Sequence, residues 1–219
     1  MSNIVIFGNG DIAELAHYYF THDSGHAVAG FAVDGQYRQG DAFLGLPNVD
    51  FESVDERFPA PDYDFFVAVS YAQMNGLRDA RCRAAKSKGY RLVSYISSRA
   101  TIFPDLSENE NCFILEDNTV QPFVKIGNNV TLWSGNHIGH HSVIRDNTFI
   151  TSHVVISGGV DVGRNCFVGV NATVHDHIRL ADYTLVGAAS LINKDTEPYG
   201  VYIGIPAEKS RVPSNRLKL

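Results

Sequence analysis

The 219-residue sequence is short of several features that would classify it at once. It has no apolar run long enough to span a bilayer, and its first residues lack the charged-then-apolar order of a secretion signal. No membrane partner and a cytoplasmic location are therefore expected. The three cysteines, Cys82, Cys112 and Cys166, are odd in number and far apart. That argues against a disulfide framework and a cysteine zinc site, and points to buried, reduced thiols. Lys and Arg form no cluster and the net charge is -6, which speaks against a polybasic membrane patch and against a nucleic-acid surface. What remains is a small ligand, bound by a chain long enough to bury a substantial core in one or two domains.

Two rhythms divide the chain. Up to about residue 97, short apolar strands ("NIVIFG", "AVAGFAVD", "DFFVAVS", "YRLVSYI") alternate with helical patterns over residues 11–21 and 75–88. That alternation reads as βαβ units with a parallel sheet, a small Rossmann-like domain placed at residues 1–97. From Cys112 onward a different period takes over. Every sixth residue from Ile114 to Ile192, fourteen positions in all, is Ile, Leu or Val. Four residues after each aliphatic comes a small or β-branched residue in most cases, as in Val130, Ser142, Thr148, Cys166 and Ala172. A six-residue period fits neither a helix nor a two-residue strand alternation. It fits a parallel β-helix of hexapeptide rungs, in which the aliphatic fills the interior and the small residue the corner. We place this second domain at residues 98–219.

The first strand runs directly into "GNGDIA", where Gly8, Asn9 and Gly10 lead into a helix as a G-x-G-x-x-A variant ending at Ala13. Such a turn brings backbone N–H groups to a phosphate at a helix N-terminus. Asp34 closes the second strand, where an acid accepts hydrogen bonds from a ribose or a base. A dinucleotide site needs two βαβαβ halves, and about one precedes the hexads, so a mononucleotide carrying another group is expected.

The hexad run, the opening "FGNGDIAE" and the closing "VYIGIPAEKS" together resemble the left-handed β-helix acyltransferases that acetylate nucleotide-linked amino sugars, the PglD-like and NeuD-like bacterial sugar N-acetyltransferases. The resemblance covers almost the whole chain. It implies a left-handed helix, a homotrimer, acetyl-CoA as acyl donor, and a UDP-, dTDP- or GDP-linked 4-amino-4,6-dideoxy sugar as acceptor in surface-glycan synthesis. It also implies three hexads per coil, so that residues eighteen apart stack. His140 then lies under Gly158, and His141 under Gly159, near a corner and facing outward.

Acyl transfer to an amine needs a proton acceptor and a donor aimed at the oxyanion. Imidazole titrates near neutral pH, so His140 suits the first task and the backbone N–H of Gly158 the second. The family's I-x-H-[DE]-x-V-I segment is matched by Ile138, Gly139, His140, His141, Ser142, Val143 and Ile144, with His141 where an acid is usual. His141 is thus a catalytic candidate, or a ligand of the sugar or its phosphate. Asn136 breaks the small-residue corner series. It either bonds internally or holds the turn under His140, and with His137, which is read as an interface residue or a substrate contact, it is counted on the substrate side. The resemblance places Ser70 and Tyr71 against the nucleotide, and Gly158, Gly159, Asn171, Ala172, Gly187, Ala188, Gly204 and Pro206 along the coenzyme A groove. Arg78 is read as a phosphate partner or an ordinary helix-surface arginine. His153, His175 and His177 are read as solvated or interfacial. No metal is expected, although three histidines with an open position would suit a γ-carbonic-anhydrase-like zinc site; that reading leaves the first domain without a task. O-transfer to a sugar by the same fold also fits these residues, as does binding of a nucleotide sugar without catalysis.

Overall fold

The computed structural model describes residues 2–216. It divides into two compact units, one formed by the chain up to Ser70 together with Arg78–Tyr95, the other by Tyr71–Leu77 together with the chain from Ile96 onward. The short segment 71–77 thus leaves the first unit and returns to it.

In the first unit, the apolar runs form β1 (Asn3–Phe7), β2 (Ala27–Val33) and β5 (Tyr63–Val67), joined by α1 (Asp11–His22) and followed by α3 (Gly76–Ser87), whose residues from Arg78 onward belong to this unit. Two further strands, β3 (Ala42–Phe43) and β4 (Leu46–Asp50), and a one-turn helix α2 (Val54–Arg57) come from a stretch with no clear period. The sheet order is β3-β4-β2-β1-β5, parallel except for the β3–β4 hairpin. Ile4 to Phe7 and Phe65 to Val67 are buried along their whole length, as expected of parallel strands covered on both faces. The expected strand 90–96 is cut down to a bridge between Leu92 and Phe65 and the pair Tyr95–Ile96. Pairing beside β5 lasts for only two backbone bonds, Phe65 N–H to Arg91 O and Val93 N–H to Phe65 O. The chain then departs toward the second unit.

Gly8 explains the first turn. Its φ is +128°, and a Cβ there would lie 2.8 Å from the Ala68 carbonyl oxygen and 3.3 Å from the Ala13 Cβ. Gly10 has open space around it. Gly8→Ala is therefore expected to lower stability by about 1–3 kcal/mol from the backbone conformation alone, plus the cost of the clash. Gly10→Ala should cost about 1 kcal/mol or less. Thermal unfolding of the two variants checks the contrast.

In the second unit each hexad gives a two-residue strand and a turn, and successive coils pair in parallel with an eighteen-residue register, for example Thr131 with Phe149, His137 with Val155 and Val143 with Asp161. The fourteen aliphatics point inward, and nearly all are fully buried with the corner residues Val130, Val154, Cys166 and Ala172 among them. Each contributes about 1.5–3 kcal/mol on leaving water. The turns impose a second rule. The residue three after the aliphatic takes a left-handed φ in coil after coil: Asn129, His141, Asn147, His153, Asn165, Asn171 and His177 lie between +56° and +64°, and Asn111, ahead of the first aliphatic, does the same at +53°. Asn and His tolerate this region better than most side chains, which is one reason that histidines recur at the corners.

One corner carries a ladder of amides. Asn111 donates to Asn129 (2.9 Å), Asn129 to Asn147 (2.8 Å), Asn147 to Asn165 (3.4 Å), and Asn165 to the Met74 carbonyl (3.1 Å). Asn75 in turn donates to the Cys166 carbonyl at 3.1 Å, and Met74 is buried beside Leu185 and Val201. Segment 71–77 therefore ends the ladder and covers its last rung.

All three cysteines are buried thiols, and burial pushes the Cys166 thiol up to about 12. The thiolate is the reactive form. The native protein is expected to give no thiol titre with an aromatic disulfide reagent at pH 8, and three equivalents after denaturation in guanidinium. A fast native equivalent would show that one of these sites opens.

Candidate active site

His140 and His141 sit on the turn that follows the rung His137–Ile138, and both are exposed. Residues of the coil below position them. The Gln121 side-chain oxygen accepts the His140 backbone N–H at 2.8 Å, and the Phe123 ring lies against the His141 ring with centroids 4.7 Å apart and planes at 34°. The Nδ1 atoms of His140 and His141 are 3.1 Å apart, with the rings nearly perpendicular. The eighteen-residue period places Phe123 in the column of His141 just as it stacks His140 under Gly158; Gln121 is the partner that it does not single out.

One coil above, Gly158 meets the imidazole edge. A Cβ at Gly158 would lie 2.8 Å from Cε1 and 2.9 Å from Nε2 of His140, so the ring occupies the space that any side chain would fill. The backbone N–H of Gly158 has no acceptor among the described residues. Comparison with the coil below shows why. The equivalent N–H, that of His140, is capped by the side chain nineteen positions earlier, Gln121. For Gly158 the residue nineteen positions earlier is Gly139, which has no side chain to offer. Gly139 is itself confined, since a Cβ there would lie 2.6 Å from the Ser157 carbonyl carbon and 2.7 Å from the Gly158 nitrogen. A histidine edge and a half-exposed, unpaired N–H thus share one ledge. This arrangement can accept a proton and stabilise an oxyanion at neighbouring points.

Other expected residues are placed differently. Asn136 is buried, donates to the Trp133 carbonyl (2.5 Å) and accepts from the Val154 N–H (2.8 Å), so it is an internal brace and not a substrate ligand. Ala172 is fully buried at an inward corner and cannot reach a cofactor. His137 stands half-buried on a sheet face, in register with Val155. Ser142 turns inward and donates to the Ser157 carbonyl, so it is no nucleophile. His175 is bonded to Asp176. Gly159, at φ +68°, lies under the His177 ring. Asn171 and Ala188 are exposed, Gly187 and Gly204 half-exposed, and Pro206 exposed after a cis peptide bond. Among the described residues no group of three or more His, Cys, Asp or Glu side chains is placed to hold a metal ion.

In the first unit, Gly8 and Gly10 flank Asn9, whose side-chain amide donates to the Tyr37 carbonyl at 3.0 Å. Asp34 is nearly buried and pairs with Arg81 at 2.6 Å. Burial raises its pKa, against the opposing pull of the Arg81 guanidinium. Arg81, which also lies 5.7 Å from the Phe7 ring centroid, carried no sequence signal because a helical arginine looks solvated in a linear string. Arg78, expected on a helix surface or a phosphate, is instead buried and donates to the Ser70 carbonyl at 3.1 Å. Tyr71, expected against the nucleotide, packs its ring on Phe149 (5.2 Å) and Phe167 (4.8 Å) of the β-helix.

Comparison with known proteins accords with this architecture. Residues 123–158 match the bacterial transferase hexapeptide family (six repeats), a stretch that includes His140, His141 and Gly158. A variant of perosamine N-acetyltransferase from Caulobacter crescentus, solved with CoA and GDP-perosamine, superposes with a TM-score of 0.86 at 24% identity, covering 96% of this chain and 97% of that one. The acetyltransferase domain of PglB from Neisseria gonorrhoeae gives 0.83 at 18% identity over 96% and 100% of the two chains. WeeI from Acinetobacter baumannii gives 0.80 at 16% identity over 95% and 100%. Among curated relatives, the chain is 30% identical over 91 residues to a UDP-3-O-acylglucosamine N-acyltransferase of Delftia acidovorans, covering 42% of this chain and 25% of that protein. It is 29% identical over 112 residues to the galactoside O-acetyltransferase of Escherichia coli, covering 50% and 52%. The chain thus spans from about a quarter to about half of those curated relatives' length. The second unit carries a bacterial-transferase hexapeptide repeat. More particularly, the whole chain has the fold of the left-handed β-helix sugar acetyltransferases, a small Rossmann-like unit followed by a left-handed parallel β-helix.

Proposed function

We propose that the protein is an acetyl-CoA-dependent N-acetyltransferase acting on the 4-amino group of a nucleotide-linked 4-amino-4,6-dideoxy sugar, in the synthesis of a surface glycan. The observation that carries this reading is the His140 edge against Gly158, whose N–H is left unpaired by Gly139. In this mechanism the amine nitrogen attacks the thioester carbonyl carbon, and His140 Nε2 takes the proton from nitrogen. The Gly158 N–H meets the oxyanion of the tetrahedral intermediate. The C–S bond then breaks and coenzyme A leaves as the thiol, with the proton that His140 accepted returned to sulfur. No acyl-enzyme is formed.

In this reading the first unit holds the nucleotide, with the phosphates at Gly8, Asn9 and Gly10 before α1 and Asp34 on the ribose or base. Ser70 contributes through its backbone. The pantetheine arm of coenzyme A runs past Gly159, Asn171, Gly187, Ala188, Gly204 and Pro206, in a groove shared with a neighbouring copy of a cytoplasmic homotrimer. The structures solved with CoA and GDP-perosamine support both ligand classes, and the acetyl-CoA complex of the PglB domain supports the donor. The likeness to a galactoside O-acetyltransferase makes O-transfer the second reading. The test is thiol release from acetyl-CoA with UDP-, dTDP- and GDP-4-amino-4,6-dideoxy sugars beside the matching 4-hydroxy sugars. Turnover with an amine and not with its hydroxyl counterpart is the expected result; the reverse establishes O-transfer, and no turnover with either removes the proposal.

A further inference from the structure

The 3.1 Å contact between Nδ1 of His140 and Nδ1 of His141 imposes a constraint of its own. A neutral imidazole carries one N–H, and two ring nitrogens at this distance form a hydrogen bond only with a single hydrogen between them. If that hydrogen belongs to His141, His140 accepts with Nδ1 and must carry its own hydrogen on Nε2. Its edge at Gly158 then has no lone pair and cannot take a proton. If the hydrogen belongs to His140, Nε2 is left bare at Gly158, and His141 accepts through Nδ1 while carrying its hydrogen on Nε2.

We propose that His141 is a positioning residue that acts as a neutral hydrogen-bond acceptor and fixes His140 in the tautomer with Nε2 free. The inference rests on the proposed transferase reading for its consequence in turnover, but not for its consequence in the resting protein. The surroundings favour this geometry. The Phe123 ring supports the His141 ring, the His141 backbone N–H reaches the Pro122 carbonyl at 3.4 Å, and Gln121 holds the His140 backbone. When His140 takes the amine proton on Nε2, its Nδ1–H bond to His141 becomes charge-assisted and stronger. A second proton, on His141 Nδ1, would make both partners donors and break the contact. The pair works with one proton between its rings and fails with two. The coil below contributes Gln121, Pro122 and Phe123 and the coil above Ser157, Gly158 and Gly159, none of which titrates near neutral pH. The next titratable groups in these columns are Asp176, bonded to His175, and His177 over Gly159.

Asn and Asp at position 141 separate the roles. Both tolerate the left-handed φ of +61° found there, and the side-chain Oδ1 of either stands as many bonds from Cα as the imidazole Nδ1 does. His141→Asn is expected to keep most of kcat. His141→Asp should also be active, because a carboxylate oxygen accepts the same Nδ1–H of His140. His141→Ala should lower kcat roughly 10- to 100-fold, less than loss of the base itself, with KM for the amino sugar unchanged. A loss in His141→Ala confined to KM would overturn the proposal in favour of a sugar-binding residue, and so would a His141→Asn protein as impaired as His141→Ala. A second readout is independent of turnover. In the ¹⁵N-histidine NMR spectrum of the substrate-free protein at pH 8, the His140 signal should be that of the Nδ1–H tautomer, and His141→Ala should relax it to a mixture. An Nε2–H tautomer in an active enzyme overturns the dyad alone. An Nδ1–H tautomer in a protein that acetylates nothing leaves the dyad standing and overturns the transferase reading.

Discussion

His140→Ala is expected to lower kcat by about 10²- to 10⁴-fold, the range for a positioned general base. KM for acetyl-CoA and for the amino sugar should stay within a few-fold, and thermal unfolding should be unchanged. The stability expectation follows from exposure. His140 is solvent-exposed on a turn, and its structural bonds are made by its backbone N–H and carbonyl, to Gln121 and from Gly159. Removing the ring leaves those bonds in place. The kinetic expectation follows from the ledge: among the described residues the His140 ring is the titratable side chain against the unpaired N–H of Gly158. A decrease of less than tenfold would remove His140 from the mechanism. So would a large decrease accompanied by a fall in Tm, since the ring would then be a structural part of the coil.

The second large effect is expected at Gly158. Gly158→Ala adds one carbon in the space occupied by Cε1 and Nε2 of His140. The backbone of Gly158 is not left-handed, so the substitution stores no conformational strain of its own. What must give is the exposed imidazole, which rotates away on a flexible side chain at small cost in stability. Misplacing a catalytic group by about 1 Å costs roughly 10²-fold in rate. The new methyl group also stands beside the N–H that the thioester oxygen needs. Both effects lower kcat, and the second also raises KM for acetyl-CoA. The variant should fold and melt as the parent does. A coincident loss of Tm and activity would show instead that the clash falls on the coil itself.

The β-helix was legible in the sequence because one physical demand repeats without interruption. Each coil has an interior wide enough for one aliphatic per side, and a single slip in phase would bury a turn. The His140–Gly158 pair followed from the same period once coils of three hexads were assumed. The parallel sheet of the first unit was legible from its apolar runs, but the β3–β4 hairpin was not, since residues 35–62 lack a period. Two of the expected site residues are displaced for one cause. Asn136 and Ala172 lie on the inward corner, where a polar amide and a small side chain look the same in a string whether they face a ligand or the core. Asn136 turns out to satisfy two backbone groups with its amide. The burial of Arg78 is decided by a partner that no local pattern names, the Ser70 carbonyl. Tyr71, set against the nucleotide by the family resemblance alone, is half-buried with its ring on Phe149 and Phe167. The recurrence of Asn and His at the left-handed corners was a signal present in the string, and it accounts for His153 and His177 without assigning them chemistry.

The amide ladder that ends on Met74 also has a consequence for the order in which the chain is completed. Segment 71–77 is synthesised before every rung it touches, yet its bonds are to residues 165 and 166, ninety-one positions further along. Contacts of such separation form late, because the long intervening loop must be closed first. The opening turn of α3 is therefore anchored only after the coils around Asn165 exist, when most of the protein has left the ribosome. A chain truncated before Asn165 would keep Phe149 for the Tyr71 ring but lose the bonds from Asn165 to the Met74 carbonyl and from Asn75 to the Cys166 carbonyl.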